Sequence, residues 1–266
     1  MKPYVVGIDL GGTNTVFGIV DARGVVIASS SIKTCKHNTV EGFIEDLYIE
    51  LTRLIKANDA EGKIHGIGIG APNANYYTGM IEDAVNLPWP TPIPLAKLVS
   101  EKFGIPVTIT NDANAAAIGE MTYGAARGIK DFIMITLGTG VGSGIVINGQ
   151  LVYGHDGFAG ELGHVIMKRN NGRLCGCGRT GCLEAYCSAT GVARTAREFL
   201  EIRNEPSLLR NLHIEDITSK DVYDAAMSGD ALAKEIFDYT GDILGQAFAD
   251  MVVFSSPAAF ILFGGL

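Results

Sequence analysis

The chain of 266 residues has no long uninterrupted apolar run, and none of its stretches approaches the roughly 20 residues of a membrane-spanning helix. Its N-terminal apolar run is too short for a secretory signal peptide, because Asp9 interrupts it. It also lacks a basic cluster, and its net charge of −8 should repel the phosphate backbone of nucleic acids. These absences predict a soluble cytoplasmic protein that binds no membrane and no nucleic acid.

Charged residues are few, at 19%, whereas 47% of the residues are apolar, which excludes a disordered chain. At roughly 100 to 200 residues per domain, this length allows one large or two medium domains. Glycine is abundant, with 34 residues that cluster between the apolar runs. Cysteine is scarce, and three of the five cysteines lie between positions 175 and 182.

The order of apolar runs and turns predicts an α/β protein built from a duplicated unit. Setting residue 12 against residue 138, an offset of 126, aligns Gly12-Thr13 with Gly138-Thr139 and residues 18–20 with residues 144–146. We predict domains at 1–118 and 119–266. The second copy has no counterpart of the last helix, strand and helix of the first, so we expect the second domain to be truncated. The predicted strands are 4–9, 15–21, 25–32, 65–72, 105–110 and 258–263, and the predicted helices are 39–57, 94–103, one beginning at 111, 189–203 and 219–254.

Two glycine-rich turns join antiparallel strands at matching positions of the two copies. Glycine lets backbone N–H groups approach an anion closely, so the turns suit phosphate, although each could be a simple turn. Neither has the sequence of a P-loop or of a dinucleotide-binding turn that opens a helix. The second copy has no acidic residue at the position that corresponds to Asp9. This asymmetry suits a carboxylate that orders Mg²⁺ on one side of the bound phosphates. The alternative is that Asp9 only caps its own turn. The candidate phosphate-binding residues are Gly11, Gly12, Thr13 and Asn14 in the first turn and Gly138, Thr139 and Gly140 in the second.

Asn111 and Asp112 stand where a predicted strand ends and an Ala-rich helix begins. Residue type alone favours an N-cap, a position that Asp and Asn both fill well. The alternative places Asp112 at the carboxyl end of a strand, where α/β sheets bind ligands. There its carboxylate could take a proton from a substrate hydroxyl group as that group attacks phosphorus.

A cluster of one histidine and three cysteines predicts a metal site. Three thiolates and one imidazole form a closed tetrahedral set for Zn²⁺, which leaves no open position and is therefore structural. Glycines at positions 172, 176, 178 and 181 would let the loop 164–182 curl around an ion. Cys35 and Cys187 have no comparable partners and are expected to be ordinary packed residues. The predicted ligands are His164, Cys175, Cys177 and Cys182.

Glu161 and Glu184 flank this cluster. Carboxylates accept hydrogen bonds from neighbouring sugar hydroxyl groups, so the two residues with His164 suit a polyol ligand. The paired carboxylates of a glycosidase are the alternative, but they would leave the two glycine turns unexplained.

Five motifs carry a resemblance to a known family. The motifs are DLGGTNT (9–15), NDANAA (111–116), LGTGVGSG (137–144), GELGH (160–164) and CGCGRTGCLE (175–184). Together they resemble the ROK family of sugar kinases, within the actin, Hsp70 and hexokinase superfamily of ATPases. The loop at 74–89 is also similar to the sugar-proximal segment of bacterial glucokinases, so the resemblance extends over essentially the whole chain.

The resemblance implies two ribonuclease H-like domains around a cleft. It also implies ATP-dependent phosphorylation of a hexose at the 6-hydroxyl group, with glucose as the favoured hexose. Asp112 would be the general base, and Asn111, Glu161, His164 and Glu184 would bind the sugar together with it. The two glycine turns would hold the phosphates of ATP with Mg²⁺, and Gly264 and Gly265 would begin the adenosine-binding motif, where this sequence stops. A kinase for N-acetylmannosamine, N-acetylglucosamine or fructose stays open, as does a sugar-sensing regulator without enzymatic activity. Homodimers are common in the family.

Overall fold

A computed structural model describes residues 3–84 and 87–265 of the chain. It divides into two compact units. The first comprises the chain up to Gly128 together with Leu151–Ala159, and the second comprises Ile129–Gln150 and the chain from Gly160 onward. The division differs from the predicted boundary between residues 118 and 119, which would cut through a continuous helix at Asp112–Tyr123. The return of Leu151–Ala159 to the first unit was not predicted.

The first unit contains a five-stranded sheet in the order β3-β2-β1-β4-β5. Strands β2 and β3 run antiparallel to their neighbours, whereas β4 and β5 continue the sheet parallel to β1. The carboxyl ends of β1, β4 and β5 therefore meet at one edge of the sheet. The strands are β1 (Tyr4–Leu10), β2 (Asn14–Asp21), β3 (Val26–Lys33), β4 (Ile64–Gly70) and β5 (Val107–Thr110).

Three helices, α1 (Val40–Ala57), α2 (Leu95–Phe103) and α3 (Asp112–Tyr123), belong to this unit. Helix α1 was predicted at 39–57, and Phe43, Leu47 and Leu51 lie buried on one of its faces. Helix α3 is rich in alanine because it lies close to β4: a Cβ atom on Gly70 would lie 3.3 Å from the Ala115 side chain. Small residues on both elements thus place the start of α3 beside the end of β4.

The second unit repeats the first part of this sheet, with strand order β8-β7-β6-β9. Strand β7 is antiparallel to β6 and β9 is parallel to it, as β2 and β4 are to β1, which confirms the predicted duplication. Asn148 and Gly149 both have positive φ angles, 53° and 74°, as a type I′ hairpin turn requires. The strands are β6 (Phe132–Leu137), β7 (Val141–Ile147), β8 (Gln150–Leu151) and β9 (Ala259–Gly264).

The helices of the second unit are α4 (Glu184–Cys187), α5 (Ala189–Ile202), α6 (Ser219–Met227) and α7 (Ala231–Ser255). The prediction of one continuous helical segment at 219–254 was wrong. Gly229 has a φ angle of 92°, which ends the path of α6, and the Asp230 carboxylate caps α7 by accepting the Ala233 N–H at 3.0 Å. In the described parts of the chain no helix has the length and apolar character needed to cross a membrane.

Candidate active site

Two carboxylates meet at the carboxyl edge of the first sheet. Asp9 of β1 lies opposite Gly70 of β4, and Gly70 lies opposite Thr110 of β5, so the three residues form one row across parallel strands. Asp112 follows Thr110 by two residues and begins α3. Parallel strands thus bring together two acidic residues that are about 100 positions apart in the sequence.

The electrostatics of this edge reflect that proximity. The pKa of Asp9 is raised by its partial burial and then by the negative charge of Asp112. Two neighbouring carboxylates are stabilised by a positive charge, either a proton or a divalent cation. The edge therefore has the acidic character that Mg²⁺ requires.

The helix cap at this edge is Asn111, not Asp112. Its Oδ1 atom accepts the N–H of Ala113 at 2.9 Å. Asp112 is the first residue of the helix, and its Oδ1 atom accepts the same N–H at 2.7 Å. Because Asn111 already supplies the cap and Asp112 is exposed, the Asp112 carboxylate remains accessible to a ligand.

The first glycine turn connects β1 to β2 at the same edge. It closes through a hydrogen bond from the Gly11 N–H to the Asn14 carbonyl oxygen at 3.0 Å. Within residues 3–84 and 87–265, no protein acceptor binds the N–H groups of Gly12 and Thr13. This turn therefore offers two adjacent N–H groups to an anion, next to Asp9.

The second glycine turn, between β6 and β7, has the same property. The Gly138 N–H donates to the Gly140 carbonyl oxygen at 3.0 Å, whereas the N–H groups of Thr139 and Gly140 have no acceptor in the described residues. The predicted adenosine-binding glycines lie beside it. Gly265 donates its N–H to the Leu137 carbonyl oxygen at 3.2 Å, and a Cβ atom on Gly264 would lie only 2.0 Å from that oxygen.

The predicted metal ligands converge in the second unit. Their ligand atoms all lie within 4.8 Å of one another. His164 Nδ1 is 3.8 Å from Cys175 Sγ, and the Sγ atoms of Cys177 and Cys182 are 3.7 Å apart. Burial raises the pKa of Cys175 to about 12, so its thiolate form needs a compensating cation. One imidazole and three sulfur atoms at these distances fit a tetrahedral metal site.

The three predicted sugar ligands of the second unit adjoin this cluster. His164 Nε2 lies 4.0 Å from Glu161 Oε2, on the other side of the ring from Cys175. Glu184 Oε1 lies 3.4 Å from Cys175 Sγ. Asn111 and Asp112, the other two predicted sugar ligands, belong to the first unit.

Ser143 is a residue of this region that we did not predict. It is buried in β7, donates its hydroxyl hydrogen to the Gly160 carbonyl oxygen, and accepts the Leu162 N–H at 3.0 Å. These bonds fasten the segment with Glu161 and His164 onto the strand that follows the second glycine turn. The available signal was its place between glycines in LGTGVGSG.

A cluster of tyrosines in the first unit was also not predicted. The rings of Tyr76 and Tyr153 stack with centroids 4.2 Å apart, and the Tyr77 hydroxyl group donates to the Gly154 carbonyl oxygen at 3.0 Å. Burial raises the pKa of Tyr153. The predicted sugar-proximal loop thus packs against the segment 151–159 of the same unit; its residues Val85 and Asn86 lie outside the described residues.

Comparison with known proteins agrees with these motifs. The sequence profile described as "ROK family" matches residues 5–266. The chain belongs to the ROK family. A glucokinase from Halalkalibacterium halodurans is 38% identical over 266 residues, which cover 99% of this chain and 80% of the relative. A putative xylose repressor from a Caldicellulosiruptor species is 31% identical over 255 residues, which cover 95% of this chain and 63% of the repressor.

Comparison with solved structures agrees with the predicted fold class. The crystal structure of a ROK family glucokinase from Streptomyces griseus in complex with glucose and AMPPNP matches with a TM-score of 0.78 and 35% identity. The match covers 98% of this chain and 83% of that protein. The predicted two-domain, actin-like ATPase fold is thereby confirmed.

Proposed function

We propose that the chain is an ATP-dependent glucokinase that phosphorylates the 6-hydroxyl group of glucose. The observation that carries this proposal is the position of Asp112, accessible at the carboxyl edge of the sheet beside Asp9 and the first glycine turn. The glucokinase from H. halodurans and the glucose- and AMPPNP-bound structure from S. griseus support the same reaction.

In this mechanism Asp112 is the general base. The oxygen of the 6-hydroxyl group attacks the γ-phosphorus of ATP, and the bond between that phosphorus and the bridging oxygen breaks, so that ADP leaves with the bond's electron pair. The proton of the hydroxyl group passes to the Asp112 carboxylate. The Asn111 cap holds the start of α3, so the carboxylate keeps its position while its charge changes.

The phosphate groups of ATP would bind to the N–H groups of the two glycine turns, including those of Gly12, Thr13, Thr139 and Gly140. Mg²⁺, when bound, would supply positive charge against the charge that develops on the phosphates. Asp9 would order this ion, which would also relieve its repulsion from Asp112.

Asn111, Asp112, Glu161, His164 and Glu184 remain our predicted sugar ligands. His164 supports this assignment because its Nδ1 atom faces the cysteine cluster while its Nε2 atom faces Glu161. A metal bound at Nδ1 would fix the tautomer and leave the Nε2 hydrogen to donate to a sugar hydroxyl group or to Glu161.

We assign the cluster of three cysteines and one histidine to a structural Zn²⁺ ion. Four protein ligands would fill its coordination shell, so the ion would hold the 164–182 loop and take no part in the reaction. A reducing cytoplasm would keep the three cysteines available as ligands.

The test is an ADP-release assay with glucose, N-acetylmannosamine, N-acetylglucosamine and fructose, combined with calorimetric titration of the same sugars. We expect turnover with glucose, with the largest kcat/KM of the panel. A preference for another sugar would change the assigned substrate but leave the assignment as a sugar kinase unchanged. Glucose binding without ADP release would favour a sugar-sensing regulator, a function that the similarity to a putative xylose repressor makes worth testing.

A further inference from the structure

The second glycine turn is held from outside by one acidic side chain. Glu184, the first residue of α4, is half-buried, and its Oε2 atom accepts the N–H of Val141 at 2.9 Å. Val141 is the first residue of β7, directly after the turn. A Cβ atom on Gly140 would lie 2.5 Å from the same Oε2 atom, so only glycine lets the carboxylate come this close.

The carbonyl groups of the turn are held by neighbours of Glu184 in the sequence. The Gly138 carbonyl oxygen accepts the Ala189 N–H at 2.8 Å, and the Thr139 carbonyl oxygen accepts the Thr190 hydroxyl group at 3.1 Å. Within the described residues, the N–H groups of Thr139 and Gly140 are the ones in this turn that have no protein acceptor. The segment 184–190 thus binds the polar groups around the two N–H groups that would contact phosphate.

We propose that Glu184 is a positioning residue for the nucleotide, an inference that rests on the proposed function. Glu184 holds the 138–140 turn in the conformation that presents the N–H groups of the turn to the phosphates of ATP. This role is additional to the predicted sugar contact. It uses Oε2, whereas Oε1 lies 3.4 Å from Cys175 Sγ, so one side chain connects the metal cluster to the phosphate turn.

The role requires a hydrogen-bond acceptor but not a negative charge. A carboxylate near bound phosphate groups repels them, so its charge works against nucleotide binding. Glutamine keeps an oxygen of the same reach that can accept the Val141 N–H, whereas alanine removes it. Glu184→Gln and Glu184→Ala therefore separate the positioning role from a role of the charge.

The experiment titrates the wild-type chain and both variants with Mg²⁺-AMPPNP by calorimetry and follows the amide exchange of Val141 by NMR. We expect Glu184→Ala to weaken AMPPNP binding about tenfold, near the upper end of the net contribution of a single hydrogen bond. We expect Glu184→Gln to bind at least as tightly as the wild type. Val141 exchange should become faster in the alanine variant and stay protected in the glutamine variant. Glu201→Ala, at an exposed position near the end of α5, is the control.

Gly140→Ala provides a second route if Glu184→Ala does not fold, because its Cβ atom would displace the carboxylate and should weaken AMPPNP binding in the same way. Unchanged AMPPNP affinity in Glu184→Ala, with a loss of glucose affinity alone, would overturn the proposal, as would unchanged Val141 exchange. If the wild-type chain itself bound no AMPPNP, the proposed function would fail, and Val141 exchange would still decide whether Glu184 holds the turn.

Discussion

Burial, and then the charge of the Asp112 carboxylate, raise the pKa of Asp9, although the two aspartates belong to different strand–turn elements of the first unit. The row formed by Asp9, Gly70 and Thr110 explains this coupling, because it places the ends of three parallel strands side by side. Two acidic residues with different surroundings can then take different roles, one towards a cation and one towards a proton.

The first prediction concerns Asp112. Asp112→Asn keeps the shape of the side chain but cannot take up the proton, so kcat should fall by about 10²- to 10⁴-fold. Thermal stability should change little, because Asn111 supplies the cap. A coupled ADP-release assay and glucose calorimetry on one preparation measure both effects.

Asp59→Asn is a matched control for this substitution. Asp59 is exposed and has a φ angle of 53°, a conformation that asparagine also adopts. A near-normal kcat in Asp112→Asn would eliminate the general-base mechanism. Loss of glucose binding together with rate would show that Asp112 also contributes to substrate binding.

The second prediction concerns Asp9 and pH. Burial and the nearby Asp112 raise its pKa in the folded chain above the ordinary value of an aspartate, so the folded state binds this proton more tightly than the unfolded state does. The contribution of Asp9 to stability is therefore greatest at low pH and falls as the pH rises through its raised pKa. At pH 7, Asp9→Asn should raise Tm, and the difference from wild type should shrink as the pH is lowered.

Added Mg²⁺ should raise the Tm of the wild type more than that of Asp9→Asn, because the variant lacks the charge that attracts the ion. Thermal unfolding at several pH values with and without Mg²⁺ measures both effects. A lower Tm for Asp9→Asn at pH 7 would show that Asp9 stabilises its own turn, the alternative interpretation of this residue.

The duplicated strands and the cysteine cluster could be predicted from the sequence because both depend on local patterns. Asn148-Gly149 specifies a type I′ turn by backbone preference alone, and the spacing of Cys175, Cys177 and Cys182 limits where a loop can run. The break at Gly229-Asp230 also had a local signal, a helix-ending glycine before a capping aspartate. We missed it because the apolar pattern on both sides favoured one continuous helix.

Contacts between distant segments could not be predicted in the same way. Residue type did not distinguish Asn111 from Asp112 as the cap, because both side chains can accept an N–H at a helix start. The bond from Val141 to Glu184 joins residues 43 positions apart. No periodicity in the sequence reports such a pairing, which depends on how α4 packs beside the glycine turn.

The third prediction contrasts glycines at which an added Cβ atom would meet other atoms with glycines at which it would meet none. Gly241 and Gly245 lie within α7 and would have no heavy atom within 4 Å of an added Cβ atom. Gly241→Ala and Gly245→Ala should each increase the free energy of unfolding by about 0.5–1 kcal/mol, through helix propensity. Chemical denaturation measures the gain.

Gly163→Ala is the opposite case. Its Cβ atom would lie 2.1 Å from the Val141 carbonyl oxygen, so the segment with Glu161 and His164 would have to move away from β7. We expect lower stability and weaker glucose binding. Wild-type glucose affinity in this variant would contradict the predicted sugar contacts of Glu161 and His164.

The last prediction concerns the metal. Protein purified without chelator should contain about one Zn²⁺ per chain, bound by the four residues whose ligand atoms lie within 4.8 Å of one another. Cys177→Ser should lower both the zinc content and Tm, since it removes one ligand from the set. Cys35→Ser is the matched control: the expected packing of Cys35 was wrong, since it is an exposed free cysteine outside the cluster, and its loss should change neither quantity. Elemental analysis and thermal unfolding of the three proteins provide the measurements. Full zinc occupancy in Cys177→Ser would rule out the assigned ligands, whereas loss of zinc without a change in Tm would show that the ion does not hold the 164–182 loop.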